Sequence, residues 1–438
     1  MHDVVHDVAR AIASKAPHRF VMKEAVGLQE EWQWMDEYKN CTRISLKCKN
    51  IDELPRGLVC PELEFLLLNS RYYLKIPDAF FQDTKHLRVL YLSEASLLPP
   101  PSSLRFLTNL HTLCLNLNWG ELKDIAVIGK LKKLQVFSLV DSVISQLPKE
   151  MIQLSDLRVL DLQHYGWLEV IPRNVISSLS WLEYLSMKED FHIEWEAEGF
   201  NSRKRINACL SELKHLSSLR TLEIVVSDPS LLPEDDMLFD NLSLTRYTIV
   251  IGNRMVCDGY KASRRLILDG SKSFHPENCL SKLLKKSQVL DLHGLKDTKH
   301  VVYELDKDGF LELKYLTIHD CHTIQYILHS TSEEWVPPPS SFSFPMLEQL
   351  VVTYLSNLEA VCHGPIPMGS FDNLRILKLY NCERFRYIFS LPTKDEREST
   401  FPQLQYLELE YLSKLISFYS TRSIGSQESM TFFNQQVS

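Results

Sequence analysis

Four residues able to bind a metal ion follow one another in the sequence, His319, Asp320, Cys321 and His322. Imidazole and thiolate groups are common zinc ligands, so this run is a candidate metal site. Four consecutive residues can hold one ion only if their side chains point to the same place. The secondary structure of the run therefore decides whether a site can form.

Patterns typical of catalysis are missing from the sequence. It contains no Gly-x-Ser-x-Gly nucleophile elbow and no His-Glu-x-x-His zinc helix. A phosphate loop of the form G-x-x-x-x-G-K-[ST] is also missing, because Gly129-Lys130 lacks the earlier glycine and the following Ser or Thr. We therefore expect no enzymatic activity, and little or no nucleotide binding by this chain alone.

Leucines recur through the chain at a fixed spacing. The clearest phrase is Leu63-Glu64-Phe65-Leu66-Leu67-Leu68, with leucines at the first, fourth and sixth places. The next copies begin at Leu87, Leu110, Leu134 and Leu157, in steps of 24, 23, 24 and 23 residues. About fifteen copies can be counted between Ile44 and Leu409. This period predicts an α/β repeat fold, a leucine-rich-repeat solenoid.

The leucine spacing also predicts which side chains face a partner. Side chains alternate along a strand, so the fourth and sixth places enter the core and the third and fifth face outward. Stacked repeats would form a concave parallel sheet. Segments such as Ile144–Pro148 and Leu168–Pro172 should return along a mostly irregular convex side with short helical pieces, because proline blocks a second long strand.

This register argues against the metal site. Counted from Leu313, Cys321 is the ninth place of its repeat, where the consensus has an inward Asn or Cys. Cys382 has the same place counted from Leu374. His319 then lies on the concave side and His322 beyond the strand, so the ligands diverge. We expect no metal site.

Exposed strand positions are the best candidates for a protein-binding surface, because tyrosines and charged groups often contribute most to binding. Such positions are also polar simply because they face water, and both interpretations stay open. The predicted partner surface is Tyr184, Thr317, His319, Lys378, Tyr380, Glu408 and Glu410.

The net charge of -8 is unevenly distributed. Residues 39–135 carry 14 Lys and Arg against 9 Asp and Glu, residues 1–38 carry 4 against 7, and the remainder carries 30 against 40. Only the early repeats are basic, and they lack the concentrated basic stripe of a nucleic-acid-binding domain. Ten cysteines without a Cys-x-x-Cys pair, no secretion signal and no apolar run long enough for a membrane span favour a cytoplasmic protein.

The sequence predicts three segments. Residues 1–38 should be a small, mainly helical unit, with a helix over Met1–Ala16 and a short strand near Phe20. Residues 39–416 should form the repeats, and residues 417–438 a polar, disordered tail. Insertions at Trp195–Arg205, Trp335–Phe344 and Thr393–Thr400 should be surface loops.

Several stretches resemble plant disease-resistance proteins of the coiled-coil, nucleotide-binding, leucine-rich-repeat class. Met1-His2-Asp3 matches that family's hallmark at the end of its winged-helix subdomain, and residues 4–13 continue the match. Asn40–Leu46, Ile51–Pro55 and Cys60–Leu68 resemble its first repeats, and Leu377–Cys382 resembles its C-terminal ones. The resemblance makes residues 1–38 the remnant of the winged-helix subdomain.

The resemblance also implies roles. In the family the motif histidine contacts the phosphates of bound ADP, so His2, with Asp3, would sense the nucleotide, and the ADP or ATP would belong to full-length members. The repeats would recognise a pathogen effector or a guarded host protein and restrain a nucleotide-driven switch. The basic early repeats, including Lys123, Lys130, Lys132 and Lys133, would dock on the nucleotide-binding domain.

Two other functions remain open. A free-standing repeat scaffold or ubiquitin-ligase adaptor fits the repeats, but an adaptor needs a ligase-binding helical motif where this sequence has Met-His-Asp. An extracellular receptor is third, since the sequence shows no secretion signal, no membrane span and no cysteine-paired caps.

Overall fold

A computed structural model of the chain describes residues 20–26, 39–49, 51–97, 100–117, 122, 124–163, 168–187, 193–197, 206–233, 238–239, 242–253, 262–270, 280–296, 298–305, 309–330, 343–390 and 401–420. The chain divides into two compact units. The first comprises residues 1–225 with 241–244, and the second comprises residues 226–240 with 245–438.

Each strand of the first unit pairs in parallel with the next one along the chain. The strands are β1 (Phe20–Val26), β2 (Arg43–Lys49), β3 (Phe65–Lys75), β4 (Val89–Ser96), β5 (Thr112–Asn116), β6 (Val136–Val140), β7 (Val159–Asp161), β8 (Tyr184–Ser186) and β9 (Thr221–Val226). Leucines at the first, fourth and sixth places of the phrase are buried, as at Leu87, Leu90 and Leu92.

Short helical pieces return the chain between these strands. One α-helix, α1 (Val175–Ser178), and four 3₁₀-helices have this role, at Ser102–Phe106, Ala126–Lys130, Lys149–Gln153 and Leu210–His215. All five of these helices are followed by a buried leucine that ends the helix three residues before the leading leucine of the next strand phrase, as Leu154 does before Leu157. The predicted short helical returns are therefore confirmed in this unit.

The second unit also contains a long sheet of strands that pair in parallel. Its strands are β10 (Arg246–Ile251), β11 (Arg264–Asp269), β12 (Val289–His293), β13 (Tyr315–His319), β15 (Gln349–Thr353), β17 (Ile376–Tyr380) and β19 (Tyr406–Glu410). Its early returns contain a 3₁₀-helix at Pro229–Leu231 and the helices α2 (Ser281–Lys286) and α3 (Val301–Leu305).

The later return segments differ from the prediction, because they form a second parallel sheet. Its strands are β14 (Tyr326–His329), β16 (Ala360–His363), β18 (Tyr387–Ser390) and β20 (Ser417–Tyr419). The residues of these segments are mainly aromatic and apolar, which suits strands. The expectation of a mostly irregular convex side is therefore wrong for the last repeats.

Phenylalanines line the interior of the second unit. Phe310, Phe344 and Phe371 lie one repeat apart, with ring centroids 5.5 and 5.2 Å from one another, and Phe401 lies 5.9 Å beyond Phe371. Each phenylalanine precedes the leading leucine of its strand phrase by three residues. This stack, the phenylalanine spine, contributes strongly to the core because each aromatic ring buries a large apolar area.

Every predicted repeat phrase corresponds to a strand. The fifteen phrases are β2 to β13, β15, β17 and β19, and they include the weakest ones, at Leu266 and Leu290. The leucine-rich-repeat solenoid fold is thus confirmed, and helices are few among the residues that the structure describes. Among the described helices none is long and apolar enough to cross a membrane.

Several predicted boundaries shift. The strand β1 lies inside the segment predicted to precede the repeats and pairs with β2, and β20 lies inside the predicted tail and pairs with β18. Trp195, predicted in a surface loop, is buried and donates from Nε1 to the Val225 carbonyl at 3.3 Å. Phe344 is likewise buried in the spine. The predicted N-terminal helix, residues 198–205, 335–342 and 393–400 lie outside the described residues.

A left-handed backbone position often follows a strand. Gly252 and Gly294 occur there with φ of 107° and 59°. A Cβ on Gly252 would lie 2.5 Å from the Cβ of Asp269, so this position requires glycine. Other residues with positive φ directly after strands are Asp141, Asp320, Tyr354, Gly364, Asn381 and Tyr411.

Candidate protein-binding surface

The long sheet of the second unit has an open face, formed by the side chains that alternate with its core residues. Strand register arranges these side chains in two rows. The first row is Asp291, Thr317, Val351, Lys378 and Glu408. The second row is Asp269, His293, His319, Thr353, Tyr380 and Glu410. Six of the seven predicted partner-surface residues therefore lie in these two rows.

Lys378 forms the centre of a polar cluster at one end of the rows. Its Nζ lies 2.9 Å from Glu408 Oε2 and 4.9 Å from the ring centroid of Tyr406. Hydrogen bonding to Glu408 raises the pKa of Lys378 and of Tyr380. Hydrogen bonds from Tyr380 and then Lys378 lower the pKa of Glu408. The cluster keeps its charges paired while exposing the Tyr406 ring.

His293 and His319 lie side by side in the second row, and Asp320 follows His319 at the end of β13. The Nε2 atom of His293 is 3.1 Å from Asp320 Oδ2, and the Nδ1 atom of His319 is 3.9 Å from the same oxygen. On its other side, His293 Nδ1 is 3.7 Å from Asp269 Oδ1. The Tyr354 ring stacks on His319 at 5.9 Å.

The other two members of the sequence run point elsewhere. Cys321 is fully buried, its Sγ donates to the His319 carbonyl at 3.2 Å, and burial raises the pKa of its thiol to about 12. His322 is exposed and its Nδ1 lies 3.3 Å from the Ser356 hydroxyl. The predicted divergence of Cys321 and His322 from His319 is confirmed, and so is the inward ninth place, because Cys382 is buried too.

Tyr184, the seventh predicted residue, lies in the first unit. Its hydroxyl donates to Glu223 Oε2 at 3.3 Å and accepts from Gln163 Nε2 at 3.4 Å. Ser186 also donates to Glu223, at 2.6 Å. Burial, with Glu223 and Asp161 nearby, raises the pKa of Tyr184. These hydrogen bonds hold the Tyr184 ring in place on β8.

The predicted basic face lies in the first unit. Lys130, Lys132 and Lys133 are exposed at the end of one 3₁₀-helix and in the turn after it. The Nζ atom of Lys133 donates to Asn109 Oδ1 at 2.8 Å. Lys133 borders a cleft of about 360 Å³, and the other lining residues are His86, Arg88, Asn109 and His111. Lys123 and the predicted nucleotide-sensing residues His2 and Asp3 lie outside the described residues.

Three histidines and a tyrosine form a stack beside the second sheet. His300 and His329 have ring centroids 4.6 Å apart, and His329 and His363 are 5.1 Å apart. Tyr326 stacks on His363 at 4.6 Å and donates to Glu359 Oε2 at 2.8 Å. Burial, followed by the nearby His329, lowers the pKa of His300 from 6.5 to about 4.

Sequence reasoning did not identify His293, Asp269 or the histidines of the basic cleft. Comparing equal places in consecutive repeats would have found His293 and Asp269. His293 and His319 each follow the last inward apolar residue of a strand, Leu292 and Ile318, so equal places in consecutive repeats predict adjacent side chains. Residues His319 to His322 are neighbours along the chain, whereas in a parallel sheet the neighbours of a side chain come from other repeats.

Comparison with known proteins agrees with this fold. A family model described as a leucine-rich repeat region matches residues 74–246, and one described as plant disease resistance protein RPS2-like, leucine-rich repeats, matches residues 267–411. A leucine-rich-repeat protein of Leptospira interrogans, LIC12759, has a similar structure, with a TM-score of 0.54 and 19% sequence identity over 91% of this chain and 95% of that one. That likeness concerns the fold alone.

Relatives found by sequence point to a narrower group of proteins than the shared fold does. Disease resistance protein At4g27190 of Arabidopsis thaliana is 29% identical over 95% of this chain and 42% of its own length. Probable disease resistance protein At4g27220 of the same plant is 26% identical over 97% of this chain and 49% of its length. Disease resistance protein RPS5, also from that plant, is 29% identical over 52% of this chain and 22% of its length.

The chain spans less than half the length of these three relatives, and its matches to family models concern leucine-rich repeats only. The strand register and the inward cysteines are those of leucine-rich repeats, and the relatives in sequence are disease resistance proteins. The chain is thus similar to the leucine-rich-repeat part of plant disease-resistance proteins.

Proposed function

We propose that this chain is the recognition and autoinhibition module of an intracellular plant immune receptor, and that it acts by protein–protein binding. The observation that carries the proposal is the pair of rows on the open face of the second unit, where polar and aromatic side chains from successive strands form one surface. Parallel strands present such rows as a single extended surface to a partner.

The charges of this face suit a basic ligand. Asp269, Asp291, Asp320, Glu408 and Glu410 contribute acidic groups, against the single lysine Lys378 in the two rows. Complementary charge speeds association and orients the partner. The exposed rings of Tyr354 and Tyr406 add aromatic contacts of the kind that dominate binding energy. A pathogen effector or guarded host protein with a basic patch fits this surface.

The basic cleft of the first unit supports the autoinhibitory part. Lys133, Arg88 and two histidines face one cleft, and Lys130 and Lys132 lie close by in the sequence. Such a cluster attracts an acidic protein surface. In a receptor, that surface belongs to the nucleotide-binding domain, and docking there restrains the switch until a ligand binds the second unit. A free-standing scaffold would have no such domain to restrain.

Charge reversal tests the docking. The variant with Lys130→Glu, Lys132→Glu and Lys133→Glu should bind the nucleotide-binding half of At4g27190 at least roughly tenfold more weakly at low salt, because reversal replaces attraction with repulsion. Pull-down of the co-expressed halves measures binding. Cell death triggered by that half in leaf tissue measures restraint, which the unchanged chain should supply and the variant should lose.

The matched control reverses three lysines elsewhere. Lys282, Lys285 and Lys286 lie on α2 of the second unit, so reversing them makes the same change in net charge away from the cleft. This control should bind and restrain as the unchanged chain does. Equal binding by both triple variants contradicts docking through the cleft. Binding without any effect on cell death favours the scaffold alternative.

A further inference from the structure

Three potential metal ligands converge on the open face of the second unit. His293 and His319 occupy paired positions on β12 and β13, and Asp320 lies in the left-handed turn that ends β13. One ligand atom from each residue lies within 4.8 Å of the others. The register of a parallel sheet fixes this proximity, so the group is positioned by the backbone of two repeats.

The separations suit a small metal ion. A tetrahedral ion with bonds of about 2.0–2.2 Å keeps its donor atoms roughly 3.4 Å apart. The distances from Asp320 Oδ2 to His293 Nε2 and His319 Nδ1 are 3.1 and 3.9 Å, on either side of that value. Small rotations of the two rings would equalise them.

A second carboxylate lies behind His293, slightly beyond hydrogen-bonding distance. Asp269 Oδ1 lies 3.7 Å from Nδ1 of His293, on the side of the ring away from Asp320. Metal-binding histidines commonly give their other ring N–H to a carboxylate, which fixes the tautomer and strengthens the ligand. Asp269 itself is largely buried, with 10% of its side chain exposed, so it holds one position.

The chemical types of the three ligands also indicate which metal ions would bind. Two imidazoles and one carboxylate suit zinc and neighbouring transition metals, whereas magnesium and calcium prefer oxygen ligands alone. The three side chains are 23%, 38% and 44% exposed, so an ion can enter from the open face and keep one position for water. We propose that His293, His319 and Asp320 bind one divalent transition-metal ion of the zinc type, with Asp269 orienting His293.

This proposal differs from the sequence-based expectation of no metal site. That expectation concerned the run His319 to His322, in which Cys321 and His322 do point away, whereas the proposal takes its third ligand, His293, from the preceding repeat. The proposal is also independent of the proposed immune function, because it concerns only whether the folded chain binds an ion. An alternative for the same residues is the hydrogen bond between His293 and Asp320, beside the Asp269 carboxylate and without metal.

Titration calorimetry of the full chain with Zn²⁺ tests the site. We expect saturable binding, with one site lost in both His293→Gln and His319→Gln. Asp269→Asn should weaken that site by roughly 10–100-fold, as expected for a supporting carboxylate. Co²⁺ provides a second measurement, because a site of two imidazoles and a carboxylate gives visible absorption bands without the near-ultraviolet band of a cobalt–thiolate bond.

Two histidine variants serve as controls. His322→Gln changes the neighbouring exposed histidine, and His329→Gln changes the histidine stack of the second sheet. Both should keep the site. Asp320→Asn should also lose Zn²⁺ affinity without disturbing the fold, because Asn tolerates the φ of 53° found there. Circular dichroism of each metal-free variant checks folding, so a loss of binding by folded Asp320→Asn supports the proposal even if a histidine variant unfolds.

Two results would overturn the proposal. One is an absence of saturable Zn²⁺ binding by the unchanged chain, which leaves the hydrogen bond between His293 and Asp320 as the explanation. The other is an unchanged number of sites and unchanged affinity in folded His293→Gln, His319→Gln or Asp320→Asn, which places the ion elsewhere.

Discussion

The two units use the same leucine phrase but fill the space behind it differently. Three residues before the leading leucine, the first unit has leucines such as Leu131 and Leu154, whereas the second has Phe344 and Phe371. Return segments of the first unit are short helices, and the last returns of the second unit form the sheet β14, β16, β18 and β20. The same leucine phrase in the strands is therefore compatible with either helices or strands in the return segments.

The difference follows from side-chain size and backbone preference. Return segments such as Lys149–Gln153 and Leu210–His215 are rich in Leu, Lys and Glu, which favour helix. Tyr326–His329 and Tyr387–Ser390 are rich in aromatic and β-branched residues, which favour strand. We infer that the phenylalanine spine fills the space between the two sheets of the second unit, as leucine fills the smaller space beside a helix.

The largest expected effect tests the spine. Phe371→Ala should reduce the free energy of unfolding by about 3–5 kcal/mol, because it removes a fully buried ring between two others. Urea denaturation measures the loss, and hydrogen exchange should locate it in β15 to β18. Met368→Ala, at a neighbouring side chain that is 88% exposed, should change stability by less than about 0.5 kcal/mol. Similar losses in the two variants would show that the phenylalanine spine does not contribute specifically to the stability of the core.

The reverse substitution tests whether the first unit requires leucine. Leu154→Phe should reduce the free energy of unfolding by about 1–3 kcal/mol, because a ring overpacks the fully buried space at the end of Lys149–Gln153. Leu154→Met, which nearly conserves the volume, is the control and should cost less than about 1.5 kcal/mol. If Leu154→Phe is as stable as the unchanged chain, the difference between the units does not depend on side-chain size.

A smaller effect should appear with acid in the second unit. The pKa of His300 is lowered from 6.5 to about 4 by burial and then by His329, Lys299 and His363. As the pH falls from about 6.5 to about 4, the unfolded chain takes up a proton that the folded chain does not, so stability decreases. Because His300 is partly exposed, we expect a loss of about 1–2 kcal/mol.

The acid effect can be assigned by substitution. His300→Phe keeps an aromatic ring in the stack and removes the titrating group, so urea denaturation near pH 7.5 and pH 5 should show a smaller pH dependence. His322→Gln, at an exposed histidine outside the stack, should retain the dependence of the unchanged chain. An undiminished dependence in His300→Phe would assign the acid sensitivity to other groups.

Much of the fold could be predicted from the sequence because the repeat is local. The leucine spacing placed each of fifteen strands, including the weak phrases at Leu266 and Leu290, and it placed Cys321 and Cys382 inward. Boundaries were less predictable. Phe20–Val26 and Ser417–Tyr419 lack a complete phrase, and only pairing with a neighbouring strand makes them part of a sheet.

The candidate sites, like the fold, were predictable from the sequence only in part. The sequence by itself determined which residues face outward, since a strand alternates its side chains, and it thereby predicted that Lys378, Tyr380, Glu408 and Glu410 are exposed strand positions. Only the tertiary structure decided which outward residues meet. His293 and His319 lie 26 residues apart in the chain but become neighbours through the pairing of β12 with β13, and Asp269 joins them from β11. Strand register is a property of stacked repeats, and a single repeat does not contain it.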